Sequence, residues 1–210
     1  DLDIEIINKK KFKDLYPIAK NSDIYGGLYI PQDGQADPEV LTKVIATAAK
    51  NEGVKIFEKC KLKKILKRKN QIRGVETNLG TIDCEYIVLC AGMWSRQIGE
   101  AAGVSIPLYP NEHFYMITED YKNLRKTLPT FRDPDKYLYI REYHKKIMIG
   151  IFEPNAKNAF KKKGIIPNNF SFGEFKVDKK YIRMLHNLAA KRIPNIKDFK
   201  IEKYFSGPES

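Results

Sequence analysis

Apolar residues recur at two spacings along this chain of 210 residues, and the change of period marks out its elements. Between Pro38 and Asn51, the residues Val40, Leu41, Val44, Ile45, Ala48 and Ala49 fall three and four apart, a stripe down one side of a helix. Asp37 supplies the N-cap, Pro38 fits the first helical position and Gly53 suits the left-handed end. Asn8 can likewise cap a short helix over Lys9 to Leu15 that Pro17 ends, although the residues from Asp1 onward declare no strand of their own. Alternation predicts strands over Leu62 to Lys67 and Ile72 to Thr77, joined around Lys69-Asn70. Asn78-Leu79-Gly80 then turns the chain into a return strand from Thr81 to Cys84. Shorter strands are predicted at Tyr25 to Pro31 and Val54 to Phe57.

The alternation stops at Tyr86. From there to Ala91 the run is continuously apolar, the pattern of a strand covered on both faces in a parallel sheet. It ends in Ala91-Gly92, followed by Met93-Trp94-Ser95 and a helix from Arg96 to Ala102 closed by Gly103. Small residues at the carboxyl end of such a strand admit a ligand or another backbone, and open α/β sheets bind ligands at that edge. A strand-to-helix turn needing glycine for its own geometry explains them equally well. Strand, helix, strand, antiparallel excursion and buried strand is the element order of particular flavoprotein folds, not of a plain dehydrogenase.

Beyond Gly103 the character changes. His113 to Thr118 is an aromatic-rich strand, and Pro129, Asp133-Pro134 and Asp135 belong to a polar connection. Tyr137 to Arg141 and Lys146 to Gly150 form a hairpin around Tyr143-His144-Lys145. Tyr137, Tyr139 and Arg141 are expected on one face, Leu138 and Ile140 on the other. Asn155 to Phe175 reads as a long loop, Asp178 caps a helix over Lys179 to Lys191, and Ile201 to Phe205 is a strand.

Composition narrows the class. The chain is 42% hydrophobic, and no apolar run approaches the roughly 20 residues that span a bilayer. No signal-peptide pattern opens it, so a soluble protein with no membrane partner is expected. The formal charge is +12, but its densest groups, Lys61-Lys63-Lys64-Lys67-Arg68-Lys69 and Lys161-Lys162-Lys163, lack interleaved aromatics. They read as solvated faces and no nucleic-acid partner is expected; a non-catalytic basic binding module stays as the alternative of a different class. Cys60, Cys84 and Cys90 are an odd set without ligand spacing, read as buried reduced thiols, and no metal site is expected among them and the three His.

Several ordered motifs then stand together: Gly27-Leu28-Tyr29-Ile30-Pro31 with Asp33-Gly34 and Asp37-Pro38; Gly74-Val75-Glu76-Thr77 with Gly80; and Cys90-Ala91-Gly92-Met93-Trp94-Ser95. Glu112-His113-Phe114-Tyr115-Met116-Ile117-Thr118-Glu119, Arg132-Asp133-Pro134 and Gly207-Pro208-Glu209-Ser210 complete the set. Over nearly its whole length the chain resembles the dimethylglycine and sarcosine dehydrogenases of the D-amino-acid-oxidase-like FAD family. The resemblance implies a mixed α/β fold: a partial FAD-binding Rossmann-like domain with a β-meander insertion, joined to an antiparallel-sheet substrate domain. The expected division is 1–106 for the cofactor side, with 1–30 able to belong to the substrate side, 107–204 for the substrate side, and 205–210 returning to the cofactor domain. The family's glycine-rich βαβ unit and its flavin-linking His near the N-terminus have no counterpart here. Relatives also continue past Gly-Pro-Glu-Ser, so an internal fragment that is inactive alone is expected.

By resemblance, Leu62, Ala91, Gly92 and Trp94 lie along the adenosine end of FAD, and His113 and Tyr139 are the catalytic pair that binds the substrate amine. Arg141 and Tyr137 are substrate-binding residues. On their own, Trp94 reads as a core aromatic, His113 as a hydrogen-bonded structural residue and Arg141 as a surface charge, with His144 and His186 assigned to solvent or structure. The implied reaction is oxidative demethylation of an N-methylated amino acid by hydride transfer to flavin. Tetrahydrofolate would enter through a C-terminal region, and an electron-transfer flavoprotein or O2 would be the acceptor. The expected location is cytoplasmic, or the mitochondrial matrix in a eukaryote. The alternative within enzymes is another flavin amine or 2-hydroxy-acid oxidoreductase of the same fold.

Overall fold

The computed structural model describes residues 2–121, 124, 128–161 and 164–209; Lys162 and Lys163 of the second basic group and Ser210 lie outside them. Along the chain run β1 (Glu5–Asn8), α1 (Lys9–Leu15), β2 (Gly26–Tyr29), α2 (Pro38–Asn51), β3 (Leu62–Arg68), β4 (Gln71–Thr77), β5 (Gly80–Asp83) and α3 (Ser95–Ala101). There follow β6 (Asn111–Thr118), β7 (Phe131–Asp133), β8 (Leu138–Tyr143), β9 (Lys146–Ile151), α4 (Lys179–Arg192) and β10 (Ile201–Glu209). They form two compact units, Asp1–Gln35 with Asn111–Lys161 and Pro167–Glu209, and Ala36–Pro110 with Lys162–Ile166.

The first unit is built on a five-stranded antiparallel sheet of order β10-β6-β9-β8-β7, with a separate β1-β2 pair. The parity of each strand decides its faces. Phe114 and Met116, Leu138 and Ile140, and Ile147, Ile149 and Ile151 point into one core with Leu185, Ala189 and Ile193 of the α4 region. Phe12 and Tyr16 close it from α1, each 5.3 Å from the ring of Phe131. Asn8 and Asp178 cap α1 and α4 as their sequence positions imply, accepting from the amides of Lys11 and Lys180. His144 and Lys145, at φ 50° and 65°, make the two-residue turn that fixes the β8–β9 register.

Two strands of this unit have no strong signal in the sequence. β1 pairs antiparallel with β2, and β7 pairs Phe131 with Ile140, inside a stretch read as loop. Tyr137 is corrected as well: it adopts a left-handed conformation at φ 56° before β8 begins, so it does not alternate with Tyr139 and Arg141.

The second unit holds α2, α3 and the meander β3-β4-β5, all antiparallel. Asp37 caps α2, accepting from the amides of Glu39 and Val40, and Gly53 follows at φ 88°. Yet the apolar stripe of α2 is not buried; Val44 and Ile45 are 59% and 60% exposed. The expected buried strand from Tyr86 to Ala91 is not a strand: it has no regular secondary structure and joins no sheet among the described residues, with Tyr86 and Val88 87% and 85% exposed. A strand needs neighbours for its backbone groups and both faces, and the meander closes without it. The same reason applies to Val54 to Phe57, which is irregular and exposed. Cys60, Cys84 and Cys90 are free, but none is buried: Cys60 and Cys84 are partly exposed and Cys90 is exposed, and neither Cys84 nor Cys90 lies in a strand.

Candidate functional site

The face of the five-stranded sheet turned away from its core carries the chemistry. His113 and Tyr115 stand on β6, Tyr139 and Arg141 on β8, and β9 runs between these strands with Gly150 opposite both Tyr139 and Tyr115. His113 and Tyr139 meet across it: His113 Nε2 lies 2.9 Å from the Tyr139 hydroxyl. Their rings are nearly parallel, with centroids 5.6 Å apart and planes inclined at 18°. Phe152, just past the end of β9, covers both, at 4.8 Å from His113 and 5.2 Å from Tyr139. The Arg132 guanidinium sits 4.9 Å above the Phe152 ring.

Burial and charge set the proton positions. Burial holds the His113 imidazolium below its ordinary value, opposed by the carboxylate of Glu209 on β10, whose Oε2 is 3.6 Å from Nδ1. Burial, aided by the charge of Glu209, pushes the Tyr139 hydroxyl well above the ordinary tyrosine value. A carboxylate can only accept, so the arrangement favours a proton on Nδ1 facing Glu209 and leaves Nε2 to accept from the Tyr139 hydroxyl. The result is a half-buried neutral imidazole with a phenol proton directed at it and a carboxylate behind it. Such a group can take up a proton, since the carboxylate balances the charge that forms.

Arg141 follows Tyr139 on the same face. Its Nη1 donates to Gln35 Oε1 at 3.4 Å, its Nε approaches Met148 Sδ at 3.3 Å, and its guanidinium lies 5.4 Å from the Tyr143 ring. Tyr137 is exposed at the entrance to β8. Leu62 opens β3, half-buried, opposite Thr77. Ala91 precedes a 3-10 turn over Gly92–Trp94, closed by the Trp94 amide on the Ala91 carbonyl at 3.1 Å. Gly92 has φ 50°, which by itself calls for glycine, and no atom lies within 4 Å of where its Cβ would be. That open backbone fits the close approach of a cofactor. Among the described residues no three His, Cys, Asp or Glu gather as metal ligands, and no helix is long and apolar enough to cross a membrane.

Phe152, Arg132, Glu209 and Gly150 complete the constellation; none of them has a site role by sequence, although Arg132 and Glu209 stand within the motifs that carry the family resemblance. One signal was available for Gly150. A two-residue turn at His144-Lys145 pairs Tyr143 with Lys146, and counting back places Tyr139 opposite Gly150.

Residues 1–209 match the family described as DAO, FAD dependent oxidoreductase. The chain is 32% identical, over 98% of its length, to the pyruvate dehydrogenase phosphatase regulatory subunit, mitochondrial, of Mus musculus, covering 24% of that protein. It is 31% identical, over 98% of its length, to sarcosine dehydrogenase, mitochondrial, of Homo sapiens, covering 22%. L-proline dehydrogenase from P.horikoshii shares the fold at TM-score 0.80 and 25% identity, over 98% of this chain and 52% of that one. The chain therefore spans about a quarter of the length of these curated relatives and about half of that solved structure.

Proposed function

The chain belongs to the DAO family of FAD-dependent oxidoreductases, and from that premise we propose that this protein oxidises an N-methylated amino acid, dimethylglycine or sarcosine. The observation that carries this reading is the 2.9 Å hydrogen bond between the Tyr139 hydroxyl and His113 Nε2, with Glu209 behind the imidazole. An amine enters at neutral pH as an ammonium, and hydride can leave the adjacent carbon only once the nitrogen has regained its lone pair. In this reading the ammonium N–H donates to Tyr139 Oη, the Tyr139 proton passes to His113 Nε2, and Glu209 balances the imidazolium at Nδ1.

FAD supplies the acceptor for the hydride. The resulting iminium takes up water and releases formaldehyde, or passes its one-carbon unit to tetrahydrofolate. Arg141 binds the substrate carboxylate by its guanidinium, with Tyr137 a second contact at the edge. In the other unit, Leu62 and the Ala91-Gly92 turn with Trp94 hold the adenosine end of FAD, which the open backbone at Gly92 supports. On this reading the sheet unit serves the substrate and the meander unit the cofactor. An electron-transfer flavoprotein or O2 would take the electrons, in the cytoplasm or, in a eukaryotic cell, in the mitochondrial matrix.

A second reading, a regulatory protein that keeps the fold without turnover, is supported by the 32% identity to a phosphatase regulatory subunit. Anaerobic bleaching of the flavin in the full-length protein separates the two. Sarcosine or dimethylglycine should bleach it. Bleaching by D-amino acids or glycerol phosphate but not by N-methylglycines would sink the substrate assignment, and a bound flavin that no amine bleaches would favour the regulatory reading.

A further inference from the structure

Gly150 is the last residue but one of β9, in a buried run whose other members, Ile147, Met148, Ile149 and Ile151, are large. Its backbone does not ask for glycine, because it is absent from the positions with positive φ. A glycine in a strand interior is also less stable there than a β-branched residue. Space is what demands it. A Cβ on Gly150 would fall 2.2 Å from Tyr139 Cζ and 2.3 Å from Tyr139 Cε1 and Oη, distances no side chain tolerates.

We propose that Gly150 is a positioning residue for the His113–Tyr139 pair: by carrying no side chain opposite Tyr139, it lets the phenol lie across β9 and bring its hydroxyl to His113 Nε2. The two partners stand on strands separated by β9. A phenol standing upright from β8 would point away from the sheet, and only one laid over the middle strand reaches the imidazole on β6. That Gly150 matters for turnover rests on the amine-handling role given to the pair above; that it places the hydroxyl does not. The rival explanation is that the ring only covers a weak point in the strand, in which case the hydroxyl is irrelevant.

The test uses the flavin-loaded full-length protein with Gly150→Ala, Tyr139→Phe and both together. The His113 titration, followed by NMR in histidine-labelled protein, should move in Gly150→Ala to where Tyr139→Phe puts it; an unmoved titration overturns the proposal. Flavin reduction by sarcosine should slow by about 10²-fold in Gly150→Ala, as expected for a misplaced reacting group. In the Tyr139→Phe background it should slow no further. An equal loss in both backgrounds means that the hydroxyl is not what Gly150 places, and overturns it. If the titration moves while flavin reduction is untouched, the positioning stands and the amine-handling reading fails. Should Gly150→Ala not fold, Tyr139→Ala/Gly150→Ala must fold as Tyr139→Ala does, because the ring that meets the new methyl is gone; a double variant that still fails to fold sinks the proposal.

Discussion

His113 is held between two opposing influences, and their balance fixes a measurable sign. Burial lowers its proton affinity and Glu209 raises it, with the net effect downward from the ordinary value of about 6.5. Between that value and the lower folded one, the unfolded chain binds a proton that the native chain does not. Stability is therefore complete above about 6.5, falls as pH drops through the interval, and levels off once both states are protonated. Melting temperatures from neutral to mildly acid pH should show this slope, and His113→Gln should flatten part of it. His186, also lowered by burial where it meets Tyr204 at 2.6 Å, adds a slope of the same sign, and Glu153, raised by burial, opposes it at the acid end. A variant with an unchanged slope would mean that His113 is not held neutral by its site. The same variant should slow flavin reduction in the full-length protein by about 10²- to 10⁴-fold, the range for a lost general base. His113 and Tyr139 are named together only through the family resemblance; residue by residue, His113 reads as structural, and it is the sheet register that brings the two to 2.9 Å. The site roles of Glu209, Phe152 and Arg132 are not legible in the sequence, since they arise only when β10 and β7, the two outer strands of the sheet, and the end of β9 flank the same pair.

Among the elements, β7 and the end of α4 show what local pattern cannot reveal. The three residues of β7 follow Pro129 and precede Pro134, so no alternation marks them. What secures the strand is remote in sequence. Arg192, 2% exposed at the end of α4, donates from Nε to Asp133 Oδ2 at 2.8 Å and from Nη1 to Asp23 Oδ1 at 3.0 Å, and Lys136 adds a 2.8 Å bond to Asp23. Asp133, 5% exposed, also caps the short turn after β7 through the Lys136 amide. Removing Arg192 would leave the buried Asp133 carboxylate with only the more distant Lys136 ammonium, at 3.7 Å, so Arg192→Leu should cost about 3 kcal/mol, read by denaturant unfolding. Asp133→Asn in the same background should recover part of that loss; a double variant no better than the single would show that packing, not charge, is at stake. The hairpins were legible for the opposite reason. Lys69-Asn70 and His144-Lys145 are adjacent residues whose turns fix register by themselves, with φ of 47° and 61° at the first and 50° and 65° at the second. β1 stayed hidden because it is a four-residue strand defined only by its pairing with β2.

At the scale of the whole molecule, the two units differ in whether they build a core. The sheet unit completely buries Ile140, Ile147, Ile149 and Ile151, although Ile6, Tyr25, Leu28 and Phe172 of the same unit are exposed. The meander unit displays Val40, Leu41, Val44 and Ile45 along α2, and Tyr86 and Val88 on an irregular run that joins no sheet among the described residues. The sequence patterns there were sound as patterns, a helical stripe and a strand meant for two-sided cover, but the cover is not among these residues. Because the chain spans about a quarter of its curated relatives, the remaining polypeptide of a full-length protein is the natural source of it. Burying one Val, Leu or Ile side chain is worth about 1.5–3 kcal/mol, so leaving several exposed makes a surface that binds apolar molecules and aggregates. Alone, the 210 residues should bind an apolar fluorescent dye, and Val44→Lys with Val88→Lys should reduce that binding and raise the soluble fraction without loss of helix by circular dichroism. In the full-length protein the dye should not bind, and the same two lysines, now forced beneath a covering layer, should lower both stability and flavin content. If the full-length protein instead binds the dye as strongly and tolerates both lysines, this surface is free in the working molecule. The apolar pattern of Tyr86 to Ala91 would then have to be explained by a partner other than the protein's own chain.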